Sequence, residues 1–116
     1  MPETYNSVLD RIGVFNAATE TMTKGRAREV RITAAKTGCG LRLVKTPENY
    51  SIEVTGAPES AAEDLAAFRL KPAAEAFARP ISKAERSWDV ASDIEDILQD
   101  GLKLGPDVSV TIETIN

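Results

Sequence analysis

The sequence contains no histidine and only one cysteine among its 116 residues. Histidine is the usual general base near neutral pH and a common ligand for zinc, copper and iron, so Ser-His-Asp and Cys-His catalytic arrangements cannot form. The common glycine-rich phosphate-binding motifs, GxGxxG and GxxxxGK[ST], are also missing. We therefore expect a protein that is not an enzyme and that holds no metal or cofactor.

Long apolar runs are missing as well. No stretch approaches the ~20 residues that a membrane-spanning helix needs, and the first residues do not have the basic and apolar regions of a signal peptide. A single cysteine excludes an intramolecular disulfide and is typical of a reducing compartment. We therefore expect a cytoplasmic protein that does not contact membranes.

The residues that are present are typical of one globular domain. Hydrophobic residues make up 42% of the chain and charged residues 28%. A chain of this length buries roughly two thirds of its unfolded surface around a single core. Residues 1–116 are therefore predicted to form one domain.

Hydrophobic periodicity predicts a helix followed by strands. Between residues 4 and 23, apolar residues such as Ile12 and Phe15 recur at three- and four-residue steps, and Gly25 is expected to end this helix. From residue 28 to 55 the period changes to two, with turn residues between the runs. This part of the chain is predicted to form three antiparallel strands.

The next part of the chain, residues 57–104, is rich in Ala, Glu and Asp and shows no strand pattern. Ser92 followed by Glu95 matches a capping box, which predicts that the last helix begins there. Prolines are expected to divide the preceding part into shorter helices. These shorter helices are predicted at about residues 58–70, 72–79 and 82–88.

Alternation returns near Val108 and predicts a final strand. The predicted element order is then α-β-β-β-α-α-α-β. Because one side of every strand is polar, the predicted class is a two-layer α+β fold with a four-stranded, mostly antiparallel sheet and helices on one face. The other face is expected to contact water or a partner.

Charge is divided unevenly along the chain, whose net charge is −4. Residues 24–45 contain seven basic residues against one acidic residue, whereas residues 46–116 contain six basic and fourteen acidic residues. A layout of this kind steers and orients a charged partner. The sequence therefore indicates a basic surface and an acidic surface.

The basic candidates are Arg28, Arg31 and Arg42, expected on the solvent side of the first hairpin. They fit an acidic protein surface or, as in β-ribbon proteins, a nucleic-acid backbone. The alternative is a solvated sheet face on which the arginines pair across strands with Glu53 or Glu113.

The acidic candidates are Asp93, Asp96 and Asp100, which continue a spacing of three and four residues from Asp89. That spacing predicts one stripe on the last helix. Such a stripe fits a basic partner, and the alternative is the solvated face of an amphipathic helix. A divalent cation is disfavoured because no Asp-x-Asp-x-Asp-Gly loop is present.

Two further side chains are singled out by their context. Cys39 lies between two glycines, where we expect an exposed but incidental turn residue rather than a nucleophile. Trp88 is the one tryptophan, and we expect it to close the edge of the core.

The leading hypothesis is a small, non-enzymatic protein-binding module of the inhibitor, immunity-protein, phage-antagonist or accessory-subunit type. Opposite charges on one molecule also permit a homodimer. The first alternative is a nucleic-acid-binding protein that uses the basic hairpin, residues 24–45, and the second is a small-molecule-binding protein or a histidine-free enzyme. The predicted partner-binding residues are Arg28, Arg31, Arg42, Asp93, Asp96 and Asp100.

Overall fold

The computed structural model describes residues 3–105 and 107–116. These residues form an α+β fold with seven strands in one sheet. The strands are β1 (Glu3–Tyr5), β2 (Glu29–Ala34), β3 (Gly40–Lys45), β4 (Tyr50–Thr55), β5 (Lys71–Ala73), β6 (Ala76–Ile81) and β7 (Val110–Ile115).

Three α-helices accompany the sheet in the described residues. None of the helices in this part of the chain is long and apolar enough to span a bilayer. The helices are α1 (Val8–Thr23), α2 (Ala62–Ala67), which follows a 3₁₀ turn at Glu59–Ala61, and α3 (Ser87–Asp96), which continues into a π-helical turn at Ile97–Gly101.

The strands lie in the order β1-β7-β2-β3-β4-β6-β5, and each described neighbour pair is antiparallel. This register places Glu113, Arg31, Arg42 and Glu53 side by side in one row across β7, β2, β3 and β4. Because side chains alternate between faces along a strand, this row lies on the face that the helices do not cover. We call it the open face.

The core lies between the other face of the sheet and the helices. Alternate residues of the central strands point into it, as their two-residue period requires. The helices contribute the apolar side of α1 and α3, and Leu65 of α2. Fully buried core side chains include Phe15, Met22, Val30, Leu43, Ile52, Val54, Leu65, Ile94, Ile97 and Val110.

The predicted run of three strands between residues 28 and 55 is confirmed as β2, β3 and β4. The end of α1 is also as predicted. Gly25 has a φ of +77°, and the backbone N–H of Arg26 donates to the carbonyl of Thr21, which is a Schellman motif.

The predicted four-stranded sheet and the predicted element order are wrong, mainly because residues 71–81 form a hairpin instead of a helix. Their alanines favour a helix in isolation, but pairing of β6 with β4 along six residues outweighs that preference. Pro72 is tolerated because β5 is an edge strand. The first described residues, expected to be helical, form the other edge strand, β1.

The prediction that a capping box at Ser92 and Glu95 begins the last helix is also wrong, because α3 begins at Ser87 and Ser92 lies within it. The first turn of α3 packs against α1, where the hydroxyl oxygen of Thr19 lies 3.0 Å from the carbonyl oxygen of Ser87 and 2.8 Å from that of Phe15. Glu95, expected as a capping residue, is instead buried between α3 and α1. The predicted helix at 82–88 is therefore replaced by a loop and the first turn of α3.

Candidate functional site

Two of the predicted arginines lie on the open face and form a charge network there. Arg42 donates from Nε to Glu29 and from Nη1 to Oε2 of Glu53, the latter at 3.0 Å. Arg31 Nε lies 3.3 Å from Oε2 of Glu29. The cross-strand pairing with Glu53, expected of a solvated sheet face, is thus present for Arg42, and both arginines have part of their charge compensated.

The network is charged at neutral pH. Burial by itself raises the pKa of Glu29, but hydrogen bonds from Arg42 and Arg31 outweigh burial and hold the pKa below its usual value. A lowered pKa stabilises the folded state above the pKa of the unfolded chain, and this stabilisation is lost as the pH falls through the folded pKa. The ion pairs of Glu29 with Arg42 and Arg31 are therefore present at neutral pH.

A second group of cations lies at the end of the sheet where β2 begins and β3 ends. We call Arg26, Arg28 and Lys45 the basic edge; all three are exposed, and none has an ion pair with an Asp or Glu side chain within the described residues, although Nη2 of Arg28 donates to the backbone oxygen of Asn116 at 3.5 Å. Lys45 Nζ lies 3.6 Å from the position that a Cβ on Gly25 would take. The tight turn after α1 thus brings Lys45 close to the cations that follow Gly25.

Two adjoining depressions lie along the basic edge, with volumes of about 220 and 210 Å³, and Arg28 lines both. Half-buried Val44 and Ile115 line the larger one together with Arg28, Lys45 and Arg42. In the register of the sheet, Val44 on β3 and Ile115 on β7 both lie opposite Glu29 on β2. The result is a depression with two apolar side chains on either side of Glu29 and basic side chains around them.

The predicted aspartate stripe is present on the outer side of the helical layer. Asp93 is not free, because its Oδ2 lies 2.5 Å from Nη2 of Arg79 on β6. Asp96 and Asp100 are exposed. Burial, followed by repulsion from Asp100 and Asp93, raises the pKa of Asp96, so the three carboxylates are close enough to interact.

Replacing Asp96 by asparagine is therefore expected to raise the free energy of unfolding at neutral pH by about 0.2–0.5 kcal/mol, because a like-charge repulsion is removed. The destabilisation from a raised pKa is complete above the folded pKa and is lost as the pH falls to the pKa of the unfolded chain, so the gain should disappear near pH 3. Urea denaturation at both pH values measures it. An equal gain from Asp107→Asn, in an exposed loop, would mean that net charge is responsible instead.

The six predicted partner-binding residues are not brought together in one site. Arg31 and Arg42 belong to the sheet and lie on its open face, and Arg28 directly precedes β2. The aspartates lie on α3 and the π-helical turn, in the layer that covers the opposite face. A single flat partner surface therefore cannot contact both groups.

The expected exposure of Cys39 and the expected burial of Trp88 were wrong. Cys39 is 4% exposed, and its Sγ donates to the carbonyl of Gly56 at 3.4 Å, because the turn folds against the end of β4. Trp88 is 55% exposed. It lies outside the buried stripe of α3 that Val90 and Ile94 define, which follows from the start of the helix at Ser87.

Arg26, Lys45 and the cations near β6 were not predicted from the sequence to bind a partner. The cations near β6 are Arg69, Lys71 and Arg79. Arg26 and Lys45 were counted in the basic hairpin, but their position at the sheet end depends on the turn after α1 and on the pairing of β2 with β3. Arg79 was assigned to a helix. The alternation of Phe77, Arg79 and Ile81 was the signal for a strand there.

No group of three or more Cys, Asp or Glu side chains in the described residues is arranged to hold a metal ion. No protein-family model, curated protein or solved structure matches this chain. The functional proposal therefore depends on the geometry and charge of the surfaces described above.

Proposed function

We propose that this protein is a small, non-enzymatic binding module that holds an acidic segment of another protein against its basic edge. The observation that carries this proposal is the combination of Arg26, Arg28 and Lys45, which have no ion pair with an Asp or Glu side chain in the described residues, with the half-buried side chains of Val44 and Ile115. Such a surface suits a segment in which carboxylates alternate with an apolar side chain.

The two parts of the surface have different roles. Partner carboxylates accept charge-assisted hydrogen bonds from Arg28 and Lys45, and an apolar side chain of the segment occupies the depression between them. Arg42, which lines the same depression, is already held by its two glutamates, so little side-chain entropy is lost when it contacts the segment. The cations also accelerate association with an acidic partner.

Several features favour a protein partner over a nucleic acid. Glu29 lines the larger depression, and Glu53 and Glu113 lie in the row beside the arginines, so a continuous phosphate backbone along the open face would pass all three carboxylates, whereas a short segment can place its carboxylates at Arg28 and Lys45 alone. Aromatic side chains, on which unpaired bases stack, do not line either depression in the described residues. The net charge of −4 also opposes nonspecific attraction to a polyanion.

A second copy of the chain fits the basic edge less well than a different protein. In a two-fold dimer each contact occurs twice, so the acidic and basic groups would have to meet in both directions at one interface. Asp96 and Asp100 lie in the helical layer, whereas the basic edge lies at the end of the sheet and borders its open face. A contact between them would be head-to-tail, which extends into chains unless the rotation closes.

The proposal is tested with a fluorescent synthetic peptide that alternates Glu and Leu, compared with a peptide in which every Glu is replaced by Gln. Anisotropy titrations should show that only the acidic peptide binds. The variant Arg28→Glu/Lys45→Glu should weaken binding at least tenfold. The control Lys36→Glu/Arg86→Glu changes net charge equally at exposed positions outside the basic edge, and it should bind as the unchanged protein does.

Three results would overturn the proposal. Equal weakening by both double variants would mean that only net charge matters. Tighter binding of a labelled DNA duplex, with affinity falling steeply as salt increases, would favour the nucleic-acid alternative. Concentration-dependent self-association in analytical ultracentrifugation, abolished by Arg28→Glu/Lys45→Glu, would show that the basic edge contacts a second copy.

A further inference from the structure

A cleft of about 420 Å³ lies at the β5–β6 side of the sheet, away from the basic edge. It is lined by Arg69, Lys71, Arg79 and Pro80. Within the described residues, β5 pairs with β6 only as far as Ala78, so the next two residues of β6 have no strand beside them on that side. The volume falls in the range of about 300–1,000 Å³ that is typical of small-molecule sites.

Arg79 is an unusual residue to find in this position. It is 7% exposed, and it reaches Asp93 through Nη2 alone. Its Nε is fully enclosed and has no hydrogen-bond partner among the described residues. Unpaired buried donors are rare in folded proteins because the lost hydration is not replaced. Arg79 lines the cleft and brings to it a positive charge that is held by one carboxylate, Asp93.

Arg69 is held in a conformation that favours glycine. It has a φ of +64° and follows the end of α2, where the N–H of Leu70 donates to the carbonyl of Leu65 and that of Arg69 donates to Ala66. This is the same Schellman motif that closes α1, in which the left-handed residue is Gly25. A strained arginine in place of glycine, with its side chain at a cleft, indicates a function for that side chain.

The charges of the cleft match a doubly charged anion. Three cations line it, and the carboxylate that contacts one of them, Asp93, leaves two positive charges uncompensated. Arg69 and Lys71 have no ion pair within the described residues. Guanidinium groups bind phosphate oxygens through paired N–H donors, and a lysine adds a compact positive charge.

We propose that the cleft formed by Arg69, Lys71 and Arg79 binds a phosphate group, either free or carried by a small molecule. Asp93 holds the guanidinium of Arg79 in place, so the donor is oriented before the ligand arrives. Arg69 and Lys71 are the exposed cations that line the cleft. Pro80 offers an apolar surface to any organic part of the ligand.

The test uses isothermal titration calorimetry and thermal unfolding with four probes: inorganic phosphate, ribose 5-phosphate, ribose, and sodium chloride at matched ionic strength. Phosphate and ribose 5-phosphate should bind and raise the melting temperature, whereas ribose and chloride should not. Tighter binding of ribose 5-phosphate than of phosphate indicates a phosphorylated small molecule, and equal binding indicates free phosphate.

Two variants connect binding to the cleft. Arg69→Gly should weaken phosphate binding at least tenfold and also raise the melting temperature of the ligand-free protein, because it removes a cation and the backbone strain together. Lys71→Ala, on an exposed edge residue, should weaken binding to a similar degree. Loss of binding with gain of stability cannot arise from misfolding.

The matched control is Lys103→Gly. Lys103 has a φ of +56° in the turn after the π-helical segment, so it is also a strained cation at a helix end, but it does not line the cleft. Its replacement relieves the strain but also removes an exposed ion pair with Asp64, so the rise in melting temperature should be smaller than that of Arg69→Gly, and phosphate binding should be unchanged. The proposal is overturned if phosphate has no effect beyond that of chloride, if Arg69→Gly and Lys71→Ala bind phosphate normally, or if Lys103→Gly weakens binding equally.

Discussion

Arg11→Met is expected to lower the free energy of unfolding by about 3–5 kcal/mol, because it leaves the carboxylate of Glu95 buried without its cation. Arg11 is 2% exposed and Glu95 is 5% exposed, and their Nη2 and Oε1 atoms lie 3.6 Å apart between α1 and α3. Arg11 also donates to the carbonyl of Val108 at 3.1 Å, and Gln99 donates to Glu95 at 2.6 Å. The pair therefore connects both helices to the segment that precedes β7.

The double variant Arg11→Met/Glu95→Leu should recover most or all of this loss. Well-packed apolar residues often replace a buried ion pair without cost, and sometimes with a gain of about 1–4 kcal/mol. Urea denaturation of both variants measures the difference. A double variant as unstable as Arg11→Met would show that packing of the long side chains matters more than their charges.

The penalty of Arg11→Met should also depend on pH. Burial raises the pKa of Glu95, and the charge of Arg11 partly opposes that rise. Removing Arg11 raises the pKa further, so the folded variant binds a proton more readily than its unfolded chain does. Its stability should therefore increase as the pH falls through the folded pKa of Glu95 to the lower pKa of the unfolded chain. A penalty that is constant across this range would contradict the electrostatic explanation.

Gly56→Ala is expected to destabilise the protein by about 2–4 kcal/mol, from backbone strain and a steric clash together. Gly56 ends β4 with a φ of +70°, and a Cβ there would lie 3.0 Å from the carbonyl oxygen of Gly38. The contact is with backbone, so rotation of a side chain cannot relieve it. Circular-dichroism-monitored urea denaturation provides the measurement.

Gly38→Ala is the control for this substitution. Gly38 has a nearly equal φ of +75°, but a Cβ there meets nothing within 4 Å. It should therefore lose only about 1–2 kcal/mol, the cost of the left-handed conformation. Equal losses at both positions would mean that the turn moves away from β4 to make room.

The sequence predicted β2, β3 and β4 because their alternation, turns and pairing are all local. It did not predict β6, because Ala76 and Ala78 favour a helix and Pro80 interrupts either structure. β6 forms because it pairs with β4, and the residues of the β5–β6 hairpin do not by themselves indicate that pairing.

The same limit applies to the candidate surfaces. The two-residue period correctly placed Arg31 and Arg42 on the face away from the core. Compensation of their charge by Glu29 depends on how β2 and β3 are aligned, which sequence patterns specify only loosely. The ion pair between Asp93 and Arg79 was not predicted, because Arg79 had been assigned to a helix.

The strand order also determines when the sheet can be completed. β7 is the last described strand to leave the ribosome, yet it lies between β1 and β2 and pairs with both. Until then β2 has an unpaired edge that can recruit other chains, and β1 has no strand to join. Contacts of this long sequence separation form slowly. In a nascent chain, the edge of β2 is therefore exposed to aggregation until β7 pairs with it.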